Sequence, residues 1–365
     1  TLPGVSTGME GSSAYYVRGG NEGNNLTTLD GIPIYGTGHL LGLTTSYPSE
    51  IVSDQDFYAG GFPSDVGGYT SSLLQLTTSD GDFEKTRSSL FVNNFLAGAQ
   101  LSKPLKKNKS SLLASVRVSP LGLEYNLLRP LINEGLSVPD HINALVGDAF
   151  AKITWKARDR ERIFLSVFGS YDRYGFDPTN TSSQALGWSN LIGNLTWIKE
   201  SASGWEWETR LSHNGFRAFQ DQTQKINSNT TRMSLQSALM EEGLQVKVSK
   251  ELNARLRIQT GADAYVSFFQ PGVSKVYQGN ELAATAGKSL ITGRGSLHGQ
   301  IGYNNGHFHT TAGLRGTVFF SQDYKTVKPI ADLLVSYELT PSLTVKATYD
   351  HAVQFFHSLE GIPTG

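Results

Sequence analysis

Apolar and polar residues alternate with a period of two along several stretches of the chain after residue 82. The clearest stretch covers residues 149–158. Its odd positions are Ala149, Ala151, Ile153, Trp155 and Ala157, and its even positions are Phe150, Lys152, Thr154, Lys156 and Arg158. Because successive side chains of a β-strand point to opposite faces, this pattern predicts a strand with one apolar face. The pattern returns over residues 163–171, 254–268 and 331–339.

The connections between these stretches alternate between short and long. Short polar turns lie at residues 106–109, 159–161, 201–204, 251–253, 304–306 and 340–342. Longer polar or mixed segments lie at residues 120–146, 172–186, 214–230, 270–288 and 322–328. Outer-membrane barrels have short periplasmic turns and longer extracellular loops. We therefore expect a transmembrane antiparallel β-barrel, with the short turns in the periplasm and the long loops outside the cell.

An array of secreted or periplasmic β-sandwiches is the alternative fold, because antiparallel sandwich sheets also alternate apolar and polar residues. The predicted strands have about 10 to 14 residues, which suits a tilted bilayer crossing, whereas sandwich strands usually have about 5 to 6. Aromatic residues near strand ends suit the interfacial girdles of a membrane barrel. These residues are Tyr171, Trp197, Tyr303 and Tyr337. Strand length therefore favours the barrel.

Composition excludes some classes of protein. The 365 residues are 38% hydrophobic with a mean hydropathy of −0.26, an average that alternating membrane strands also produce. No apolar run approaches the roughly 18 residues of a transmembrane helix. A net charge of −1 gives no case for a nucleic-acid partner. The absence of cysteine excludes disulfides, thiol catalysis and cysteine-bound metal.

The first 80 residues follow a different pattern. Two short apolar runs flank Asp30 and Gly31, a dipeptide typical of tight turns because glycine tolerates a positive φ. Glycine pairs at residues 60–61 and 67–68 then precede a short apolar run at residues 72–76. We expect a compact β-unit that packs against other parts of the protein.

Five motifs follow one another within the first 68 residues: LPGV at 2–5, VRGG at 17–20, LDGIPIY at 29–35, HLLG at 39–42 and GGFPSDVGG at 60–68. In this order they resemble the plug of a TonB-dependent outer-membrane receptor of the kind found in Bacteroidetes. The resemblance implies a mainly β fold in which a small α+β plug domain, residues 1–80, fills a barrel whose N-terminal half is residues 81–365. Such receptors carry a signal sequence, a TonB-contacting box and more of the plug before the LPGV motif.

The number of strands predicts an incomplete barrel. Residues 83–365 hold about twelve alternating segments, at roughly 24 residues per strand and connection. A barrel wide enough for such a plug closes at about 22 strands. Residues 361–365 contain no terminal strand that ends in an aromatic residue. Because open sheet edges are not tolerated in hydrocarbon, we expect further strands on residues outside this chain.

The resemblance also implies a function. It implies active, TonB-dependent uptake of a scarce solute such as a siderophore, cobalamin, glycan or peptide, across the outer membrane of a Gram-negative bacterium. The implied partners are outer-membrane lipid and TonB, which would bind a segment upstream of this chain. The sequence does not decide whether a surface lipoprotein also caps the barrel. No cofactor or nucleic acid is implied. The alternative is a receptor-like barrel that serves as a non-transporting scaffold or as a subunit of a secretion or assembly complex.

No set of residues resembles a catalytic centre, so we expect no enzyme. No G-x-S-x-G elbow is present, and Glu241 and Glu242 are interpreted as a solvated turn or bulge rather than an acid–base pair. His307 and His309 share one face of a strand, but no third ligand is in reach by sequence. We therefore expect no metal site.

The candidate site residues lie in the plug region. The resemblance implies that Arg18 locks the plug by pairing with wall carboxylates, and the alternative is an arginine that binds local turn carbonyls. Asp30 and Gly31 are interpreted as turn residues. The candidates for substrate contact are Tyr35, His39 and Tyr47, because such side chains combine contact area with a hydrogen-bonding group. A core or wall contact is the alternative for each of the three.

The alternation also predicts which side chains face lipid. Those expected to point outward are Ala151, Ile153, Trp155, Ile163, Leu165, Val167, Leu333 and Val335. Those expected to point into the lumen, or to solvent at the rim, are Lys152, Lys156, Arg255 and Arg257.

Overall fold

The computed structural model describes residues 4–7, 15–131, 142–179, 181–226 and 229–356. The first two residues of the LPGV motif and the predicted non-strand end at residues 361–365 lie outside these ranges.

The region before residue 80 forms three small sheets. Its strands are β1 Val5–Thr7, β2 Tyr15–Val17, β3 Asn25–Leu29, β4 Ile32–Ile34, β5 Gly38–His39, β6 Thr44–Thr45, β7 Val52–Tyr58 and β8 Ser72–Thr78. Single-turn 3-10 helices lie at Glu22–Asn24, Leu40–Gly42 and Ser49–Ile51. The main sheet has the order β4-β3-β8-β7, in which only the β3–β8 pair is parallel. The pairs β1–β2 and β5–β6 stand apart from it.

The rest of the described chain is one antiparallel sheet of 14 strands. Its strands are β9 Arg87–Val92, β10 Ala97–Lys106, β11 Ser110–Val118, β12 Ile142–Arg158, β13 Glu161–Thr179, β14 Ser182–Glu200, β15 Trp205–Ile226, β16 Asn229–Asn253, β17 Leu256–Gln278, β18 Glu281–Ala286, β19 Leu290–Asn304, β20 Phe308–Phe320, β21 Lys325–Thr340 and β22 Leu343–His351. Helix α1, Leu121–Leu128, and a 3-10 turn at Arg129–Leu131 follow β11. None of the helices in the described ranges is long and apolar enough to span a membrane.

Each wall strand pairs with its neighbours in chain order, apart from the short β18, which pairs only with the outer end of β17. The sequence predicts about twelve strands, and thirteen follow one another along this path. Within the described residues no pairing joins β9 to β22. The expectation that further strands complete the barrel stays a prediction.

Several segments predicted as long loops are strands, so that part of the prediction is wrong. Strand β13 continues to Thr179 and β14 begins at Ser182, while β15 ends at Ile226 and β16 begins at Asn229. Strand β16 has 25 residues, which at about 3.3 Å per residue is roughly 80 Å, far beyond a hydrocarbon core of about 30 Å. Outside the bilayer neither face of a strand contacts lipid, so the apolar alternation disappears although the hydrogen-bonded ladder continues. The short turns lie where the sequence predicts them, with a shift of about two residues after β16.

The predicted sidedness of the wall is confirmed. On β12, Ile153 and Trp155 are 44% and 51% exposed, whereas Lys152 and Thr154 are 2% and 0% exposed. The other residues predicted to point outward lie on the outward faces of their strands, and Lys156, Arg255 and Arg257 are exposed, as predicted for residues at the rim.

The interpretation of Glu241 and Glu242 as a turn or bulge is wrong. Both lie inside β16, where Glu241 faces inward and Glu242 faces outward.

The small sheets pack against the inward face of the wall. One buried apolar cluster joins residues from both parts. The small sheets contribute Leu29, Ile32, Ile34, Ile51 and Leu76, and the wall contributes Leu113, Phe150, Phe168 and Ile192. These wall side chains occupy inward positions that would be polar in an open water-filled barrel. The region before residue 80 therefore has the position of a plug.

Candidate functional site

His39 is the centre of a buried contact between the plug and the wall. It ends the short strand β5, and its side chain is 0% exposed. Its Nδ1 lies 2.5 Å from Asp172 Oδ2, and its Nε2 lies 3.0 Å from Asp148 Oδ2. The two aspartates point inward from the neighbouring strands β13 and β12. One imidazole therefore bridges two wall strands from the plug side.

Two further wall residues complete this cluster, which we call the His39 clamp: His39, Asp148, Asp172, Arg117 and Tyr174. The Arg117 Nε donates to Asp148 Oδ2 at 2.8 Å, and its Nη2 donates to the carbonyl oxygen of plug residue Thr45 at 2.9 Å. The Tyr174 hydroxyl donates to Asp172 Oδ1 at 2.7 Å. Two carboxylates thus meet one guanidinium and one imidazole, and the charges balance when His39 is protonated.

The surroundings of His39 favour that protonated form. Burial alone lowers the pKa of the imidazole, but hydrogen bonds to Asp148 and Asp172, and the charges of both carboxylates, outweigh burial and raise the pKa above its usual 6.5. A charged imidazole donates from both ring nitrogens, as the two short contacts require. The clamp is therefore a set of charge-assisted hydrogen bonds at a buried site.

A second buried contact holds the end of the plug. Lys152, on β12, places its Nζ 3.0 Å from Asp80 Oδ1 and 3.8 Å from Asp30 Oδ2. It also donates to the Thr78 carbonyl oxygen at 3.1 Å. Burial raises the pKa of Asp80, but the charges of Lys152 and Arg162 outweigh burial and lower it. This end of the plug therefore lies against cationic wall residues near the short turns.

Asp30 and Gly31 form the turn between β3 and β4, with φ values of 48° and 81°. The Asp30 carboxylate also accepts the Thr78 backbone N–H at 2.8 Å and the Thr78 hydroxyl at 2.6 Å. A Cβ added to Gly31 would collide with the Arg210 guanidinium of β15. The turn thus lies against the wall, where the positive φ favours glycine and a larger residue would also have to displace the end of the Arg210 side chain.

Arg18 is exposed and adopts a φ of 50° after β2. Its backbone N–H donates to the Gly4 carbonyl oxygen at 2.9 Å, and its Nη1 lies 3.4 Å from the Thr348 hydroxyl on β22. Within the described residues its wall partner is this hydroxyl rather than a carboxylate. The neighbouring wall carboxylate, Asp350, accepts instead from the backbone N–H of Gly61 at 2.8 Å. The role of Arg18 as a lock stays a prediction.

The three substrate candidates lie in different surroundings. Tyr35 lines the cavity between plug and wall, with its ring centroid 5.7 Å from that of Phe216. Tyr47 packs against the apolar cluster, and burial raises the pKa of its phenol. His39 is enclosed in the clamp, where its side chain contacts no solvent. Their substrate roles stay predictions, and only Tyr35 faces a space that a solute can occupy.

The cavity that Tyr35 lines has a volume of about 1550 Å³. It extends from Asp80 and Arg162, near the short turns, to Phe269 and Phe356, near the outer ends of the strands. Small-molecule pockets usually measure about 300 to 1,000 Å³, so this space suits a large solute or a path for one. In the part of the chain that the structure describes, no group of three or more His, Asp or Glu side chains has an arrangement that could hold a metal ion.

The sequence does not reveal the partners of the plug residues. Arg117, Asp148 and Asp172 have no local motif, and their contacts with the plug span 72, 109 and 133 residues of chain. A weak signal exists, because each is a charged residue in the inward phase of an alternating strand. Such positions predict a polar lumen but not a particular partner.

No family model matches the sequence, and no curated protein matches it either. Solved structures do match the fold. The siderophore receptor PirA from Acinetobacter baumannii matches 97% of this chain at a TM-score of 0.63 and 14% identity, over 58% of the PirA chain. The ferric yersiniabactin uptake receptor FyuA from Yersinia pestis matches 94% at 0.66 and 11% identity, over 59% of its chain. The copper transporter OprC matches 94% at 0.66 and 13% identity, over 57% of its chain.

At these identities the likeness shows the fold alone. This chain spans less than two thirds of the length of those structures. The predicted fold is confirmed: a large antiparallel β-wall with a small plug on its inward face, as in TonB-dependent outer-membrane receptors.

Proposed function

We propose that this chain is part of a TonB-dependent transporter in the outer membrane of a Gram-negative bacterium. In this proposal residues 1–80 are the C-terminal part of the plug, and residues 81–365 are the N-terminal half of the barrel. TonB pulls on a segment upstream of the chain and displaces the plug, so that a scarce solute passes. The protein performs no chemistry on the solute.

The observation that supports this proposal is the polar seat of the plug, centred on the His39 clamp. A buried ion pair contributes little net affinity compared with apolar packing of the same volume, because desolvation offsets most of its Coulomb energy. It nevertheless fixes position, since a small displacement leaves charges unpaired. A plug seated in this way has one well-defined closed state and is still removable by an applied force. A plug that never moves would not need contacts that both fix its position and allow its removal.

The solute is part of the same proposal. PirA and FyuA are described as siderophore and ferric yersiniabactin receptors, and OprC as a copper transporter. A cavity of about 1550 Å³ next to the plug accommodates a solute larger than a bare ion. We propose uptake of a scarce, medium-sized solute, with a surface lipoprotein as a possible lid over the barrel.

The test uses the full-length protein in cells with and without TonB, and in planar bilayers. We expect uptake of at least one solute from a panel of ferric siderophores, cobalamin, oligosaccharides and peptides, and we expect that uptake to require TonB. Deletion of residues 1–80 should leave a barrel that inserts but conducts ions continuously. Absence of TonB-dependent uptake together with an unchanged conductance after deletion would favour the scaffold alternative.

A further inference from the structure

Arg294 has a mostly buried guanidinium that forms no hydrogen bond with the residues that the structure describes. It points inward from β19 into the cavity, and its side chain is 16% exposed. Among the described residues its contacts are Glu241, at 3.6 Å between Nη2 and Oε1, and the Tyr265 ring, 4.3 Å from the guanidinium carbon. Its buried Nε has no partner. Five N–H donors in such a site normally find acceptors, so Arg294 has donors that the described residues do not use and that can face a ligand in the cavity.

Two groups beside Arg294 can complete a binding site. Glu241 Oε2 accepts from the Ser267 hydroxyl at 2.7 Å, while its Oε1 has only the long contact with Arg294. The Tyr35 hydroxyl has no hydrogen-bond partner among the described residues. Tyr35, Glu241 and Arg294 all line the same cavity. Donors and acceptors therefore face this cavity both from the plug and from the wall.

The charges in the cavity argue against an anionic ligand. Nine acidic and six basic side chains line it. The other nearby cations have carboxylates of their own, since Arg315 lies 2.7 Å from Asp263 and Lys247 lies 3.3 Å from Asp65. Arg294 itself shares its charge with Glu241. An incoming carboxylate or phosphate at Arg294 would thus compete with carboxylates that already pair with the nearby cations.

Aromatic side chains also line the cavity. The Phe216 ring lies 5.7 Å from the Tyr35 ring, and the Tyr265 ring lies 4.3 Å from the Arg294 guanidinium carbon. Trp188 and Phe269 line the cavity as well. Such faces pack well against C–H groups and offer contact area at low entropic cost. Aromatic faces together with a carboxylate and a guanidinium match a ligand that has apolar ring faces and a rim of hydroxyl groups. Each hydroxyl both donates and accepts, so neighbouring hydroxyls satisfy Glu241 and Arg294 together.

We propose that Arg294, Glu241 and Tyr35 form a subsite for a neutral, polyhydroxylated solute, that is, an uncharged oligosaccharide. Arg294 donates to one or two hydroxyl oxygens, Glu241 accepts from a neighbouring hydroxyl, and the Tyr35 hydroxyl reaches the same ring from the plug. Because Tyr35 belongs to the plug, a bound saccharide contacts both the wall and the part that must move. The inference rests on the proposed uptake function and narrows its solute class.

The test is binding to the full-length protein in detergent, which does not depend on transport. The probes are neutral hexasaccharides of glucose, mannose, xylose and galactose in their common linkages, with hexagalacturonate and ferric citrate as anionic comparators. We expect at least one neutral hexasaccharide to bind and neither anion to compete. Arg294→Lys keeps the charge but loses the planar fork, and it should weaken binding by about tenfold or more. Tyr35→Phe should weaken binding by about threefold to tenfold.

Arg217→Lys, on the exposed outward face of β15, is the matched control and should bind as the wild type does. Glu241→Gln should also weaken the neutral ligand, whereas it should strengthen an anionic ligand. Failure of every neutral hexasaccharide to bind at millimolar concentration overturns the subsite, as does tighter binding of either anion. If TonB-dependent uptake of an anionic solute is found, the subsite fails while the proposed transport stands. If a hexasaccharide binds but no uptake occurs, transport fails while the subsite stands.

Discussion

Replacement of His39 by glutamine tests whether the clamp holds the plug. The substitution removes a buried imidazole that lies 2.5 Å and 3.0 Å from two carboxylates. Asp148 keeps Arg117, but among the described residues Asp172 keeps only the Tyr174 hydroxyl and one long backbone contact, at 3.4 Å to the Leu40 N–H. Removing one partner of a buried charge pair usually costs about 3 to 5 kcal/mol, because the remaining charge is left unpaired. We expect a loss of that size in the free energy that seats the plug.

The assay is urea titration of the full-length protein in planar bilayers, where displacement of the plug appears as ion conductance. With a denaturant slope of about 1.5 kcal/mol per molar, the midpoint for opening should fall by roughly 2 to 3 M. His309→Gln is the matched control, because His309 is exposed near the β19–β20 turn. That control should change the free energy by less than about 0.5 kcal/mol.

A double-mutant cycle separates charge pairing from packing. Asp172→Asn should be destabilising in the wild type, but much less so when His39 is already glutamine. The coupling free energy should exceed about 1 kcal/mol, as for groups in direct contact. Additive effects of the two changes, or a His39→Gln midpoint within about 0.3 M of the wild type, would refute the view that His39 seats the plug by charge.

Further predictions concern pH, the second buried contact, the lipid face and the turn. Because the pKa of His39 is raised on folding, its stabilisation is complete below its usual 6.5 and is lost as pH rises through the higher folded value. The urea midpoint should therefore fall as the pH rises above about 6.5 in the wild type, and a His39→Gln midpoint that falls equally would contradict this. Lys152→Met removes the lysine that contacts Asp30 and Asp80 and leaves Asp80 with Arg162, so it should lower the free energy that seats the plug by about 2 kcal/mol, measured from the same urea midpoint. Leu165→Arg, on the outward face, should cost roughly 2 to 4 kcal/mol of barrel stability in lipid bilayers, and an unchanged value would contradict the register. Gly31→Ala, at a φ of 81° and against Arg210, should cost more than about 1 kcal/mol of plug stability in a thermal scan.

The sequence predicts those structural features that depend on residues close together in the chain. The sidedness of β12 follows from its period of two, since Ile153 and Lys152 occupy opposite faces of one strand. The turn at Asp30 and Gly31 follows from the conformational freedom of glycine. The extension of β13 and β14 beyond the membrane is missed, because strands with water on both faces have no apolar alternation.

The partners of the plug could not be predicted for a different reason. The residues that bind His39 lie 109 and 133 positions further along the chain, and their meeting depends on the register of the whole wall. A shift by one residue in β12 would turn Asp148 outward and bring its apolar neighbours inward. The alternation places Phe150 on the inward face but gives no reason for an apolar residue there. Only the presence of the plug makes the apolar side chains of Phe150 and Phe168 favourable at these positions.

The two kinds of contact under the plug have different physical roles. The apolar cluster contributes most of the attraction, but hydrophobic burial is non-directional and tolerates sliding of one surface over another. The His39 clamp and the Lys152 contact add little net attraction, because desolvation offsets their Coulomb energy, yet they are lost steeply with displacement. A plug held by apolar packing alone would have many closed positions, and a plug held by charge pairs alone would be weakly bound. The combination gives one closed position whose charge pairs break early along any displacement, after which the remaining apolar contact offers a more gradual resistance to removal.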